Sequence, residues 1–191
     1  MKVGTKSLLF GAHQFLLHPI MVAIAWIRLY GFPFSIPIWV SFFVHDLGYW
    51  GKPNMDGKEG ETHVELGANI MHKLFDKKGR IVNIGREQTI MLADEKKWHD
   101  FTLYHSRFYA KKNNHPISKL CVADKYAIVI EPSWLYLFRA TLSGEVKEYI
   151  NTYKEDRPKF TNKKEWFSWV SCYLHAWVME HKDNLNDTWT K

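Results

Sequence analysis

One stretch decides the fold: Val40-Ser41-Phe42-Phe43-Val44-His45-Asp46-Leu47-Gly48-Tyr49-Trp50. An apolar run ends here in an adjacent histidine and aspartate, and a glycine follows two residues later. Burying a carboxylate at the end of such a run is costly unless a partner compensates its charge. We therefore expect a metal ion beside His45 and Asp46, provided that the rest of the chain supplies further ligands.

The composition indicates a folded domain with a substantial core. The chain has 191 residues, 16% of them aromatic, and its formal net charge is +6. This length fits one domain, and the aromatic content excludes a disordered chain. The charge favours an anionic partner, although a moderately basic protein without such a partner explains it equally well. Lysines and arginines are scattered, so no nucleic-acid-binding patch is evident.

The apolar region from residue 15 to residue 44 does not predict a membrane span. Charged, polar or helix-breaking residues interrupt it, namely His18, Arg28, Gly31, Pro33 and Pro37. No uncharged segment of 18 residues remains that would form a single helix. We expect two buried helices joined by a bend and no membrane partner. The two cysteines form neither a ligand motif nor a disulfide framework, which favours a cytoplasmic location.

Hydrophobic periodicity predicts an all-α fold, a compact helical bundle. The expected helices cover residues 1–17, 19–30, 35–44, 62–77, 86–112, 116–131, 133–142 and 144–154, and a last helix contains residues 166–178. Thr62-His63-Val64-Glu65 matches a capping box at the start of the fourth helix. We expect residues 1–142 to form the helical core and residues 143–191 an extension packed on it, within one domain.

The last predicted helix has a tryptophan-rich face at helical spacing: Trp166, Trp169, Val170, Tyr173, Leu174, Trp177 and Val178. An amphipathic face usually packs on the core of its own chain. A homodimer formed through this face is the alternative. Residues 155–159 read as a charged linker before this helix, and we expect the tail from Lys182 onward to be frayed.

Six polar residues fall on apolar helix faces or at the ends of such helices: His18, His45, Asp46, His63, His105 and Asp124. A single histidine in this position is more often a hydrogen-bonded core residue than a ligand. Asp124 is harder to explain, because it lies one helical turn from Leu120 and faces the core. Together the six residues predict a mononuclear or polynuclear metal site. His99-Asp100 follows a charged stretch and is predicted to lie on the surface, and the remaining histidines are predicted to be structural.

The order of these residues resembles the HD-domain superfamily of metal-dependent phosphohydrolases. His18-Pro19-Ile20-Met21-Val22-Ala23 is similar to the helix that carries the family's first ligand. Phe42-Phe43-Val44-His45-Asp46-Leu47-Gly48 resembles its central His-Asp motif, and Val122-Ala123-Asp124-Lys125 resembles its final Ala-Asp motif. The resemblance extends over residues 10–140, and the last fifty residues have no counterpart that can be assigned.

The resemblance implies a metal centre and its ligands. His18, His45, Asp46 and Asp124 would hold one divalent ion. His63 and His105 match the additional histidines of binuclear members, in which the aspartate of the His-Asp pair bridges two ions. Manganese, iron, zinc and cobalt all suit nitrogen and oxygen ligands of this kind.

The resemblance also implies hydrolysis of a phosphate ester, of a nucleotide or a related small anion, by metal-activated water centred on Asp46. Lys125, Arg107 and Lys52 are candidates for stabilising charge on the transferred group, with a solvated surface charge as the alternative for each. Arg107 lies about 200° around a helix from His105, so it reaches the site only if the helix ends or bends there. Tyr49 and Trp50 would contact the substrate or pack their loop.

Two other functions remain open from the sequence. Some HD-domain proteins carry a di-iron centre that activates O₂ to oxidise a small alcohol or phosphonate, and the same ligand pattern fits them. A binding module that retained the fold and lost catalysis is the third possibility, although the complete ligand set argues against it. The residues identify neither the substrate, nor the metal, nor the oligomeric state.

Overall fold

The computed structural model describes residues 1–79, 93–151 and 158–190, together with the backbone of 81–84 and 88–91. Its α-helices are α1 (Val3–Phe10), α2 (Leu17–Tyr30), α3 (Ile36–Val44), α4 (Val64–Phe75), α5 (Lys97–Leu103), α6 (Arg107–Lys112), α7 (Lys119–Ile130), α8 (Ser133–Ser143), α9 (Glu145–Asn151) and α10 (Lys163–His181). Short 3-10 turns cover Leu47–Tyr49 and Gly60–His63, and the strands are β1 (Ile81–Ile84) and β2 (Gln88–Met91). The predicted all-α class is confirmed.

One hairpin departs from the helical prediction. Strands β1 and β2 pair antiparallel, with Ile81 opposite Met91 and Ile84 opposite Gln88. The prediction of a helix over residues 86–112 is therefore wrong at its start, where Thr89 and Ile90 are β-branched residues that favour a strand. Positions 86, 87 and 92 of that predicted helix lie outside the described residues.

The same predicted helix is also interrupted in its second half. Helix α5 ends at Leu103, and α6 begins after Ser106, whose hydroxyl accepts a hydrogen bond from the Tyr109 backbone N–H. Serine at this position satisfies a free N–H group of the new helix, so it favours a break. The break leaves His105 in a connecting turn between the two helices.

Helix packing places the central helices around the His-Asp pair. Helix α2 packs on α7, and α4 packs on α5. One hydrophobic cluster joins α2, α3 and α7 through Trp26, Phe42 and Leu120. A second cluster joins α4, α7 and α10 through Ala68, Val122 and Trp177. The ends of these helices therefore meet between two apolar clusters, where polar side chains are shielded from water.

Helix α10 packs on the protein's own core, as expected for an amphipathic helix. It contacts α7, α8 and α9, and Trp166, Leu174 and Trp177 are buried. The tail after it is not frayed, because the Asp187 carboxylate accepts hydrogen bonds from Arg107 (2.7 Å) and from the Trp177 indole (3.0 Å). The predicted end of the preceding helix and the start of the charged linker, residues 152–157, lie outside the described residues.

The end of the first predicted helix and the capping box at Thr62 both differ from the prediction. The helix expected over residues 1–17 ends at Phe10, and a turn precedes α2. The capping box at Thr62 does not form, because the Thr62 hydroxyl donates to the Glu59 carbonyl, and Glu65 accepts from the Tyr109 hydroxyl. Among the described residues, no helix is long and apolar enough to cross a membrane.

Candidate metal centre

The six predicted ligands come together from five parts of the chain, and all are buried. His18 lies in the first turn of α2, and Asp124 lies in the middle of α7. His45 and Asp46 directly follow α3, and His63 ends the 3-10 turn before α4. His105 lies in the turn between α5 and α6. Five of the six residues lie at or next to a helix end, where the backbone turns and directs the side chain into the bundle.

Asp46 lies at the centre of the group and faces it with both carboxylate oxygens. Its Oδ2 is 3.3 Å from His18 Nε2 and 3.2 Å from His45 Nε2. Its Oδ1 is 3.5 Å from His63 Nε2 and 3.4 Å from His105 Nε2. The six ligands therefore form two groups that share Asp46, with one oxygen directed to each group.

Asp124 completes the first group. Its Oδ1 lies 3.0 Å from His18 Nε2 and 3.8 Å from His45 Nε2. The potential ligand atoms of His18, His45, Asp46 and Asp124 all lie within 4.8 Å of one another, as do those of Asp46, His63 and His105. Four donors on one side and three on the other match the two-ion arrangement that the resemblance implies.

Three of the histidines are oriented by the same local device. His45 Nδ1 lies 2.9 Å from the Phe42 carbonyl, and His63 Nδ1 lies 2.8 Å from the Gly60 carbonyl. His105 Nδ1 lies 2.6 Å from a carbonyl three residues earlier as well. Because a carbonyl only accepts, each Nδ1 must carry the proton, which leaves Nε2 as the free ligand atom.

This arrangement brings together atoms that repel one another in the absence of a cation. His63 Nε2 and His105 Nε2 are 3.3 Å apart, and both face the Asp46 carboxylate. Burial lowers the pKa of His63 to about 3 against the opposing effect of Asp46, and burial also lowers the pKa of His105. Both rings are thus neutral, and their Nε2 lone pairs converge on an anionic oxygen with no proton between them. A metal ion removes this conflict.

The ligand atoms of the first group are also buried and face one another. His18 Nε2 and His45 Nε2 are directed at carboxylate oxygens of Asp46 and Asp124. Atoms bound about 2.1 Å from one ion lie about 3.0–3.4 Å apart in octahedral or tetrahedral geometry. Most of the spacings in both groups fall close to this range. The residues therefore fit divalent metal ions in donor type, spacing and orientation.

The charges of the first group differ from those of the second. Burial opposes the charged form of His18 and His45, but the carboxylates of Asp46 and Asp124 outweigh it and raise the pKa of both histidines, that of His45 to about 10. The same contacts, with Lys125, hold the pKa of the two carboxyl groups well below their usual range despite burial. Protons therefore compete with a metal ion for His18 and His45.

Lys125 lies beside the centre. Its ammonium group is 2.7 Å from Asp124 Oδ2, the oxygen that faces away from His18. The lysine side chain is 29% exposed, so it joins the buried ligands to the surface. This position is compatible with the charge-stabilising role that the sequence suggested for Lys125.

The loop after the His-Asp pair contributes a wall to the second group. The Tyr49 ring stacks on the His63 ring at 3.9 Å, and Tyr49 is buried. Gly48 allows this contact, because a Cβ there would lie 1.9 Å from the His63 carbonyl oxygen. Trp50 is 64% exposed, and the Lys52 ammonium group hydrogen-bonds to the Thr62 hydroxyl beside His63.

Arg107 is directed elsewhere, although the helix does break before it. Its guanidinium group lies 2.7 Å from Asp187, donates to the Tyr173 hydroxyl and lies over the Trp177 ring. The structure therefore places Arg107 in the anchor of the C-terminal tail and does not bring it to the six ligands. The sequence pattern predicted a continuous helix here, and a break was only the condition under which Arg107 would reach the site. The partner of Arg107 lies 80 residues further along the chain.

His99 and Asp100 stay apart from the centre, as the sequence suggested, but they are half-buried instead of exposed. Their side chains lie 2.8 Å apart, and the His99 backbone N–H donates to Asp76. In addition, the sequence missed His13 and Glu145, which adjoin the centre and are 3.1 Å apart. Only the short distance between His13 and His18 along the chain hinted at the first, and nothing near Glu145 indicated burial.

Comparison of this chain with protein-family models, with curated proteins and with solved structures gives no match. The assignment of a metal centre thus rests on the six side chains themselves, on their spacing and on the orientation of their nitrogens.

Proposed function

We propose that the protein is a metal-dependent hydrolase of phosphate esters, acting on a nucleotide or a related small anion, with a two-ion centre of the HD-domain type. His18, His45, Asp46 and Asp124 would hold one ion, and His63 and His105 would hold the second, with Asp46 shared. Bound ions of this kind supply an activated water and polarise a phosphoryl oxygen.

The observation that carries the proposal is the convergence of His63 Nε2, His105 Nε2 and Asp46 Oδ1. Three acceptor atoms that lie 3.3–3.5 Å apart, with no proton to share, are an expensive arrangement unless a cation joins them. The other oxygen of Asp46 already belongs to the first group. A carboxylate shared by two groups of ligands favours a two-ion centre over a single structural ion, and two-ion centres are common in enzymes that cleave phosphate esters.

The charge balance supports an anionic substrate. Asp46, Asp124 and Lys125 together leave a charge of −1 on the protein side, and two divalent ions would convert this to +3. In a buried site such an excess is weakly screened and attracts a phosphate group strongly. The net charge of +6 acts in the same direction at longer range.

Two residues beside the ligands would have separate roles around the reacting phosphate. Tyr49 covers His63 and keeps water away from that side of the centre. Lys125 holds the outer oxygen of Asp124 and places a positive charge next to the first group, where it would stabilise negative charge that develops on the transferred group.

The test is a screen for phosphate release. The purified protein is stripped of metal, reloaded with Mn²⁺, Fe²⁺, Zn²⁺ or Co²⁺, and incubated with nucleotides and small phosphomonoesters. We expect release that depends on the metal and that a chelator abolishes. Metal-loaded protein that releases no phosphate from any of these substrates would contradict the proposal.

The same screen separates the hydrolase from the di-iron oxygenase, which has the same kind of ligand set. A hydrolase releases phosphate equally well under nitrogen and in air. Oxygen consumption that requires iron, together with loss of turnover under nitrogen, would replace the hydrolase with the oxygenase.

A further inference from the structure

A second buried polar cluster adjoins the metal centre. Glu145, the first residue of α9, is fully buried, and its carboxylate accepts hydrogen bonds from the Ala12 backbone N–H (2.9 Å) and from the Ser143 hydroxyl. His13 Nδ1 lies 3.1 Å from Glu145 Oε2 and 2.9 Å from the Ser7 hydroxyl. The cluster thus joins the C-terminal helices to the turn between α1 and α2.

Glu145 is held as an anion. Burial alone would raise its pKa, but the contact with His13 and the hydrogen bonds from Ser143 and Ala12 lower it. A carboxylate accepts and does not donate, so the His13 nitrogen that faces it carries a proton. This contact fixes the plane of the His13 ring and leaves Nε2 as the nitrogen available to a ligand.

The His13 ring lies at the edge of the metal centre. Its centroid is 5.3 Å from the His18 ring and 5.0 Å from the Tyr49 ring. The His13 side chain is 15% exposed, whereas those of His18 and His63 are 4% and 9% exposed. The hydrogen-bond contacts of the His13 ring with Ser7 and Glu145 both involve Nδ1. A ligand that approaches the ions from solvent on this side would meet His13 first.

We propose that His13 is a substrate-binding residue that contacts a phosphoryl oxygen through Nε2, and that Glu145 is the positioning residue that orients it; this inference rests on the proposed function. A histidine between a carboxylate and a phosphate can donate to both, one bond from each ring nitrogen. Each of these bonds is charge-assisted and therefore stronger than a neutral hydrogen bond.

The placement of His13 also selects the class of substrate. A terminal phosphate has three non-bridging oxygens, whereas a phosphodiester has two. A terminal phosphate therefore offers one more oxygen that is available to accept a hydrogen bond from His13. The ligand class is therefore a phosphomonoester or the terminal phosphate of a nucleotide.

The alternative is that His13 and Glu145 only join α9 to the rest of the fold. If the contact is only structural, substituting His13 or Glu145 lowers the stability of the protein and leaves its affinity for phosphate unchanged. The two roles therefore differ in a quantity that does not require turnover, the binding of inorganic phosphate to the metal-loaded protein.

The experiment titrates inorganic phosphate into metal-loaded protein by calorimetry and measures the metal content of every variant. In His13→Asn the amide nitrogen takes the place of Nδ1 and retains the contact with Glu145, while the group at Nε2 is lost. In His13→Gln the amide nitrogen takes the place of Nε2. We expect phosphate to bind about tenfold or more weakly to His13→Asn and to recover in part with His13→Gln, because a hydrogen bond to a charged group is lost and then partly restored.

Two further variants complete the set. Glu145→Gln retains the shape but loses the anion, so we expect phosphate binding weaker than in the wild type with unchanged metal content. His175→Asn is the matched control, because His175 is exposed on α10. We expect it to behave as the wild type.

The outcomes separate this inference from the proposed function. Unchanged phosphate affinity in His13→Asn overturns the role of His13, and loss of metal from that variant does so too, because it would make His13 a support of the ligands. Metal-loaded wild type that binds no phosphate overturns both. Phosphate binding that depends on His13, in a protein that hydrolyses no phosphoester, supports this inference and overturns the hydrolase alone.

Discussion

At the residue scale, the centre depends on which nitrogen each histidine presents. His45, His63 and His105 each donate Nδ1–H to a carbonyl three residues earlier, so that Nε2 is fixed as the inward atom. This hydrogen bond from Nδ1 to the carbonyl three residues earlier needs a tight backbone turn, such as the one at the end of a helix. The same local geometry therefore explains why these residues stand at helix ends and why their ligand atoms converge.

Removing one histidine of the second group separates the two sites. We expect His63→Ala to bind one metal ion per chain instead of two, because His18, His45, Asp46 and Asp124 keep their arrangement. Activity should fall by about 100-fold or more, since the second ion no longer polarises the substrate. Metal analysis after loading and desalting, with His175→Ala as the control, measures the first effect. Two ions retained in His63→Ala would show that His63 is not a ligand.

The limits of prediction from sequence are also visible at this scale. His18, His45 and Asp124 could be recognised because each interrupts an apolar helix face or end, where a polar group requires compensation. Arg107 could not be placed, because its partner Asp187 comes from a tail with no hydrophobic pattern. His13 could not be distinguished from a structural histidine, because its partner Glu145 is 132 residues away.

At the element scale, most of the candidate metal ligands lie at helix ends. The C-terminal tail connects helices of the bundle to one another. Asp187 joins α6 to α10 through Arg107 and Trp177. The Leu185 carbonyl also accepts from the Ile117 backbone N–H at 2.9 Å, next to the start of α7. Helix α7 carries Asp124, so the tail supports the element that supplies a ligand.

Asp187→Asn should weaken this anchor without changing the ligands. We expect the free energy of unfolding to fall by about 1–3 kcal/mol, because the variant breaks a partly buried ion pair and weakens hydrogen bonds to a charged group. Urea denaturation of the metal-free protein measures the change, and the metal content should remain that of the wild type. A variant as stable as the wild type would show that the tail does not contribute to the fold.

The same variant makes a prediction about pH. Burial would raise the pKa of Asp187, but the hydrogen bonds from Arg107, Thr190 and Trp177 outweigh it and lower the pKa. A lowered pKa gives stability that is complete above the pKa of the unfolded chain, about 3.9, and is lost as the pH falls below it. The stability difference between wild type and Asp187→Asn should therefore be constant near neutral pH and narrow below about pH 4. A difference that widens in acid would contradict this assignment.

Element boundaries were predictable where the residues themselves stop a helix. Gly31 ends α2 with a positive φ, and Ser118 caps α7 as expected for its residue type. The hairpin of β1 and β2 was not predicted, because strands of four residues are too short to show a clear period, although β-branched residues such as Thr89 and Ile90 favour a strand. Thr62 resembles a capping residue, yet its hydroxyl turns to the Glu59 carbonyl because a 3-10 turn already occupies that position.

At the scale of the whole molecule, the extension after residue 142 contacts residues beside the candidate metal centre. Glu145 contacts His13 beside the centre, and the backbone N–H of Met55 donates to Glu148 from the loop after the His-Asp pair. The sequence predicted that this extension packs on the core. That it also borders the metal centre follows only from the three-dimensional arrangement, because no ligand motif lies in it.

Metal affinity should rise with pH. In the metal-free protein the carboxylates of Asp46 and Asp124 raise the pKa of His18 and His45, that of His45 to about 10. His45 therefore holds an additional proton at neutral pH, the shift at His18 acts in the same direction, and a metal ion must displace such protons. We expect the apparent affinity to increase about tenfold per pH unit for each displaced proton between pH 6 and pH 8. Titration against a competing chelator measures it, and an affinity that is independent of pH would contradict the assignment of these histidines as ligands.

The metal content of Asp46→Ala tests the central claim most directly. Asp46 gives one oxygen to each group, so its loss removes a ligand from both sites at once and brings the four Nε2 atoms together without a carboxylate. We predict two divalent ions per chain in the wild type and nearly none in Asp46→Ala, with both proteins folded by circular dichroism. Two ions retained by folded Asp46→Ala, or none bound by the wild type under any loading condition, would contradict a centre bridged by Asp46.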